Sequence, residues 1–255
     1  NLQNIPTRTT FGEEIRKAIR AKDGCELISV DYSQIELRVV ACIAKEQEML
    51  KNFEDGGDIH TKTAIKIFNV KEDEVSKEMR RQAKVVNFGI LYGISAFGLA
   101  QGVDVDRHMA GELIKNYFKA FPKIRDYVDS IKKLAQKQGY VETIFGRRRY
   151  LPNIDSGIPA LKNASFRTAI NMPIQGTAAD IIKLAMIELF YQLNKSRLES
   201  KLLLQVHDEL LLEVPKRELE KVAKLVKKVM EDVVTTCVKF EVDLKHGKNW
   251  GEMKQ

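Results

Sequence analysis

Two apolar runs each carry a carboxylate to a point where chemistry could occur. "LISVDY" ends in Asp31, and "LLLQVHDELLLEVP" (residues 202–215) holds His207, Asp208 and Glu209 at its centre. A buried, unpaired carboxylate is costly or gives up its charge. A metal, a charged substrate or an exposed turn must therefore offset that cost. If both runs are strands, Asp31 and Asp208 reach the same sheet edge and form an oxygen-rich site. Mg²⁺ suits such a site, because it takes one or two carboxylates and completes its shell with water and substrate phosphates. The plainer interpretation makes HDE a solvent-facing hairpin turn and leaves Asp31 to assist the helix that follows.

A second group lies on the helix beginning near Ser76. Arg80, Lys84, Phe88 and Tyr92 recur every fourth residue. Four residues turn an α-helix by about 400°, so the set drifts only about 40° per step and shares one face. Two cations followed by two aromatics can grip a triphosphate and stack on a base or sugar. Gly89 and Gly93, on or beside this face, would let a ligand approach. The alternative is a surface helix whose aromatic end packs in the core. His60 opens another helix after "GGD" and could supply a further donor to phosphate. "RRRY" (residues 147–150) is either a solvated basic face or a contact to a nucleic-acid backbone.

Several chemistries are excluded. The sequence has no G-x-x-x-x-G-K-[ST] phosphate loop, and "HMAGE" is not a zinc-protease motif. No apolar run is long enough to cross a bilayer, and no signal peptide is visible. Lys and Arg number 42 against 35 Asp and Glu, a net charge of +7 that favours a polyanionic partner without identifying one. Cys25, Cys42 and Cys237 are far apart, odd in number and without a C-x-x-C pair. The expectation is reduced cysteines, with neither zinc nor a disulfide framework. The 255-residue chain starts without Met, as a fragment or processed product would.

The elements that must position these residues follow from periodicity and punctuation. Residues 1–12 read as extended, and "FGEEIRKAIRA" fits a strand or a helical turn. "CELISVD" is a strand. "SQIELRVVACIAKEQEMLKNF" has helical apolar spacing, with Ser33 and Glu36 as a capping box. Helices are expected at "IHTKTAIKIF", at "SKEMRRQAKVVNFGILYG" closed by Gly93, and at about 104–120 and 122–138. "GYVETIFGRRRYLP" reads as a hairpin turning near Phe145 and Gly146, residues 155–163 as loop, and residues 163–195 as helical on both sides of Pro173. Another helix at about 216–235 and a last strand "KFEVDLKHG" complete the chain. Strands near both ends around a helical block predict an α+β fold, helices inserted into a sheet domain.

The motifs "DYSQIELR", "RRQAKVVNFGILYG" and "QVHDELLLEV" resemble, in order, the three motifs of the A family of DNA polymerases, the group of bacterial DNA polymerase I. "NLQNIPTR", "DIHTKTA", "FGRRRYLP" and "NMPIQGTAADIIKLAM" match the same family, so the resemblance covers essentially the whole chain. It implies an antiparallel-sheet palm (1–51 and 159–255) with an inserted, mostly helical fingers subdomain (52–158). The thumb and exonuclease domains that precede this region in the family are expected to be absent from the chain, and proofreading is not expected.

The resemblance also implies roles. Asp31 and Asp208, with the backbone carbonyl of Tyr32, would hold two Mg²⁺, and Glu209 would support them. Arg80, Lys84 and His60 would hold the incoming triphosphate, with Lys84 the general acid toward pyrophosphate. Phe88, Tyr92, Gln34, Ile35 and Glu36 would line the nucleotide, Glu36 as the gate against a ribose 2′-hydroxyl. Asn1, Asn4, Arg8, Arg149, Arg167, Asn171, Gln175 and His207 would contact primer or template. The implied partners are primer–template DNA, dNTPs and a thumb or upstream region of the natural protein, with no membrane; the implied location is the bacterial cytoplasm (nucleoid) or an organelle. Two other functions remain: a single-subunit RNA polymerase relative, against which Glu36 argues, and a catalytically idle DNA-binding remnant, against which Asp31, Lys84 and Asp208 argue.

Overall fold

The computed structural model describes residues 2–6 and 9–254, which form two compact units. Unit 1 takes in the chain up to Ile35, Ala178–Thr235 and the segment from Lys239. Unit 2 comprises Glu36–Thr177 with Thr236–Val238. The changeovers fall at residues 35/36 and 177/178, whereas the sequence places subdomain boundaries at 51/52 and 158/159.

Unit 1 is built on a four-stranded antiparallel sheet in the order β4-β5-β1-β6. Its strands are β1 (Cys25–Tyr32), β4 (Lys201–Val206), β5 (Glu209–Pro215) and β6 (Val242–Gly247). Side chains alternate along a strand, so Ile28, Val30 and Tyr32 share one face of β1, and Leu27, Ser29 and Asp31 share the other. Ile28, Val30, Leu210 and Leu212 are completely buried. Helix α10 (Leu219–Asp232) packs on the sheet, with Val222, Val226 and Met230 buried one turn apart, and Met230 O accepts the Tyr32 hydroxyl at 2.6 Å. Each such aliphatic side chain contributes roughly 1.5–3 kcal/mol by leaving water. The undecided N-terminal stretch is helix α1 (Thr10–Ala18), capped by Thr9, whose hydroxyl accepts from Gly12 N at 3.1 Å.

Unit 2 is helical apart from a small hairpin. The single helix expected after Asp31 is two, α2 (Ile35–Ala44) and α3 (Gln47–Glu54). Lys45 between them is left-handed at φ 55°, and the Glu46 carboxylate caps α3. Helices α4 (Ile59–Phe68), α5 (Lys77–Leu91), α7 (Arg107–Ala120) and α8 (Pro122–Gln138) follow the sequence expectation closely. Between α5 and α7 lies α6 (Ala96–Val103), capped by Ser95, which the sequence reading did not separate out. Strands β2 (Tyr140–Glu142) and β3 (Arg148–Tyr150) form the hairpin, with Gly146 at φ 81° in its turn.

Helix α9 (Pro159–Lys195) runs unbroken through Pro173 and begins inside the segment expected to be loop. Proline at its first position explains that start, since the missing N–H has no partner to lose there. The cysteine expectation is corrected for two of the three. Cys42 and Cys237 form a disulfide, their Cα atoms 5.7 Å apart across 195 residues of sequence, while Cys25 is buried and unpaired. Spacing along the chain carries no information about a contact that only the fold creates. Among the described residues no helix is long and apolar enough to cross a membrane.

Candidate active site

Unit 1 brings the predicted carboxylates together. Strand register places Asp31 directly opposite Glu209 on β5 and Asp243 on β6, so three carboxylates stand side by side on one sheet face. Asp208 joins them from the β4–β5 turn, which His207 makes tight by adopting φ 55°. The Asp208 carbonyl accepts the Tyr32 N–H at 3.2 Å, tying the turn to the end of β1. Partial burial, and then the charges of Asp208, Glu209 and Asp243, push the Asp31 carboxyl up to about 7. Burial likewise raises Asp208. Asp243 was not anticipated. It lines the same cavity of about 340 Å³ as Ser29, Asp31 and Glu209, and its Oδ2 accepts the Ser33 hydroxyl at 2.9 Å.

These groups fit a divalent cation by the chemistry of their donors. All are hard oxygens, and their mutual repulsion is what a bound cation relieves. Among the described residues no three His, Cys, Asp or Glu side chains converge as a ready-made metal cage. Mg²⁺ leaves most of its shell to water and phosphate and needs only one or two carboxylates from a protein. The residues that would hold it are Asp31 and Asp208, with the Tyr32 carbonyl.

Unit 2 assembles the cationic and aromatic group. Ser76 caps α5 through Met79 N at 3.1 Å, and the helix presents Arg80, Lys84 and Phe88 in turn, with Tyr92 at its C-cap. The Arg80 guanidinium meets Asp58 through Nε at 2.6 Å and Nη2 at 3.2 Å. Burial alone would raise the Asp58 carboxyl. Hydrogen bonds from Arg80, Thr61 and the His60 backbone outweigh it and hold the carboxyl at about 2. Lys84 is exposed on the same helix. The Phe88 ring lies 5.9 Å from His60 and 6.4 Å from Tyr92, centre to centre. The Tyr92 hydroxyl donates to Glu36 Oε2 at 2.8 Å. Glu36 is also the carboxylate of the capping box expected at α2, and the Ser33 hydroxyl donates to Asp243.

His60 is buried, with Nδ1 3.0 Å from Asn87 Nδ2, while Asn87 Oδ1 accepts from Thr63 Oγ1 at 3.1 Å. The Thr63 hydroxyl has a single proton and also meets Ile59 O at 2.8 Å, so the Asn87 amide engages the His60 ring at Nδ1 in either tautomer. Burial lowers the ring to about 4; Asp58 opposes this, and Lys84 and Arg80 add to it. The folded value lies below the ordinary 6.5, so the stability gained from a neutral ring is complete above pH 6.5 and is lost as pH falls toward 4. The difference in unfolding free energy between wild type and His60→Gln, measured at each pH, should change by about 3 kcal/mol across that window. The Asp58 contribution falls in a separate window, below pH 3.8.

One expectation about glycines is corrected. A Cβ on Gly89 would stand 2.9 Å from the Ile94 side chain, so this glycine admits the chain's own packing instead of a ligand. Gly93 is needed for its φ of 66°.

The remaining candidates scatter as follows. Arg167, Asn171 and Gln175 recur every fourth residue along α9 within unit 2, a single stripe, with Asn171 Oδ1 buried and unpartnered. Arg149 is exposed on β3. Asn4 and His207 are exposed in unit 1. Gln34 is left-handed at φ 56°, and the Ile35 side chain is buried, leaving its backbone for contact. Asn1 and Arg8 lie outside the described residues.

Unit 1 thus carries a carboxylate cluster on an antiparallel sheet, and unit 2 a helix bearing Arg, Lys and two aromatics. Comparison with known proteins supplies the family. The family model "DNA polymerase family A" matches residues 1–252. DNA polymerase I of Geobacillus stearothermophilus is 51% identical over 255 residues, all of this chain and 29% of the relative. The thermostable DNA polymerase I of Thermus aquaticus is 46% identical over the whole chain and 30% of its own length. The POL domain of Pol1 from M. smegmatis, solved in complex with DNA primer-template and dNTP, superposes with a TM-score of 0.94 at 42% identity, covering 98% of this chain and 44% of that one. The chain belongs to DNA polymerase family A, and its fold is α+β as the sequence predicts. It spans less than a third of the curated relatives it matches.

Proposed function

We propose that the chain is the catalytic core of a DNA-templated DNA polymerase, adding dNTPs to a primer 3′-hydroxyl with release of pyrophosphate. The observation that carries this reading is the alignment of Asp31 with Glu209 and Asp243 across three strands, with Asp208 at the adjoining turn. When bound at Asp31 and Asp208, two Mg²⁺ would make the primer hydroxyl a better nucleophile and neutralise charge at the α-phosphorus and the leaving oxygens. The new bond joins the primer 3′-oxygen to the α-phosphorus, and the α–β phosphoanhydride breaks.

The chain's own residues bind and orient. Arg80 and Lys84 pair with triphosphate oxygens, Arg80 already held in direction by Asp58. His60 donates to the same chain of phosphates. Lys84 gives a proton to departing pyrophosphate. Phe88 packs on the nucleotide, and Glu36, held by Tyr92, stands where a 2′-hydroxyl would intrude. Gln34 and the Ile35 backbone border that sugar. Arg149, Arg167, Asn171, Gln175, Asn4 and His207 contact primer or template, as do Asn1 and Arg8 by the family resemblance. The palm is residues 1–51 and 159–255, and the fingers are 52–158. The natural site of action is the bacterial nucleoid or an organelle.

Extension of a primed template with Mg²⁺, offering dNTPs or NTPs, with and without an added thumb fragment, tests the reading. Extension with dNTPs alone supports it. Extension with NTPs favours the RNA polymerase relative. DNA binding without extension under every condition favours an idle binding remnant.

A further inference from the structure

Glu209 is held in a way the family resemblance does not account for. Its Oε1 accepts two hydrogen bonds, from Ser29 Oγ at 2.6 Å and from Trp250 Nε1 at 2.8 Å. Two donors occupy both lone pairs of one carboxylate oxygen. Ser29 stands two residues before Asp31 and therefore on the same face of β1, while Glu209 is the cross-strand partner of Asp31. Both donors are themselves fixed. Ser29 is 9% exposed within the central strand. The Trp250 ring is 4% exposed in a cluster with Leu27, Val206 and Leu211, and the Arg16 guanidinium covers it at 3.9 Å. A glutamate with three rotatable bonds at a strand end would otherwise turn into solvent; here it is pinned beside Asp31, its cross-strand partner.

We propose that Ser29 and Trp250 are positioning residues that lock the Glu209 carboxylate against the Asp31–Asp208 pair and thereby set the site's affinity for a divalent cation. The inference rests on the metal-site reading above. Partners that orient a carboxylate at a metal centre carry about 10–100-fold of its affinity. A merely structural bridge from β1 through Glu209 to the C-terminal segment would change thermal stability and leave cation affinity alone.

The test is Mn²⁺ binding to the full 255-residue chain, counted by electron paramagnetic resonance, with the thermal midpoint measured on the same samples. Wild type should bind Mn²⁺ at a site that Asp208→Asn removes. Ser29→Ala should weaken that site about tenfold with little change in midpoint. Ser29→Thr, which keeps the hydroxyl, should stay within about threefold of wild type. Unchanged affinity in Ser29→Ala overturns the proposal while leaving the metal site standing, as does equal weakening by Ser29→Thr. Absence of any Asp208-dependent Mn²⁺ site overturns the metal reading and this inference with it.

Discussion

Replacing Asp208 with alanine is expected to reduce templated nucleotide addition by at least about 10³-fold while leaving the metal-free protein no less stable. The two halves of this result come from one geometry. Asp31, Asp208, Glu209 and Asp243 crowd one corner of the sheet, and the Asp31 carboxyl rises to about 7 in response. A raised carboxyl means that the folded chain holds its proton more tightly than the unfolded chain does. The Asp31 contribution therefore favours the fold at low pH, declines as pH rises from about 4 to about 7, and is a full penalty above that. Removing the Asp208 charge relieves part of the penalty. Above pH 7 the variant should match wild type or gain about 1 kcal/mol, a modest figure because water reaches Asp31 and screens the pair. Single-turnover extension and thermal unfolding at pH 6 and pH 8 measure both effects. Loss of activity together with loss of stability would mean that Asp208 holds the hairpin together instead of serving the reaction.

Lys84→Ala should lower kcat by about 10²–10⁴-fold and raise KM for the dNTP by a smaller factor. Lys84 is exposed on the α5 face between Arg80 and Phe88, and the proposed reaction would bring the leaving pyrophosphate to it. Arg80 differs from it in kind. Its guanidinium is pre-aimed by two contacts to Asp58, so it should bind ground state and transition state alike, and Arg80→Ala should act chiefly on KM. Single-nucleotide incorporation kinetics across a range of dNTP concentrations separates the two. A Lys84→Ala variant altered only in KM would remove Lys84 from the proton-transfer role and leave it as a phosphate clamp.

The residues legible in the sequence are those whose positions follow from local rules. Asp31 and Asp208 stood out because each interrupts or ends an apolar strand. Arg80, Lys84 and Phe88 stood out because helical spacing of four puts them on one face. What escaped depends on which strand pairs with which. "KFEVDLKHG" reads as a strand, yet nothing local says that it lies beside β1 and sets Asp243 opposite Asp31. The polar residues that aim the others were equally hidden. Asp58 directs Arg80, Asn87 holds the His60 ring, and Ser29 and Trp250 hold Glu209, each through a contact made by folding. The Cys42–Cys237 pair was missed for the same reason. The break at Lys45 did leave a trace, since Glu46 and Glu48 interrupt the apolar period where α3 begins.

Crystals of the chain grown with primer–template, a non-hydrolysable dNTP and Mn²⁺, measured at the manganese absorption edge, test the central claim most directly. Anomalous peaks between the Asp31 and Asp208 carboxylates, with the triphosphate against Arg80 and Lys84, are the predicted result. A DNA complex whose Mn²⁺ lies elsewhere, with Asp31 and Asp208 in contact only with water, would contradict it.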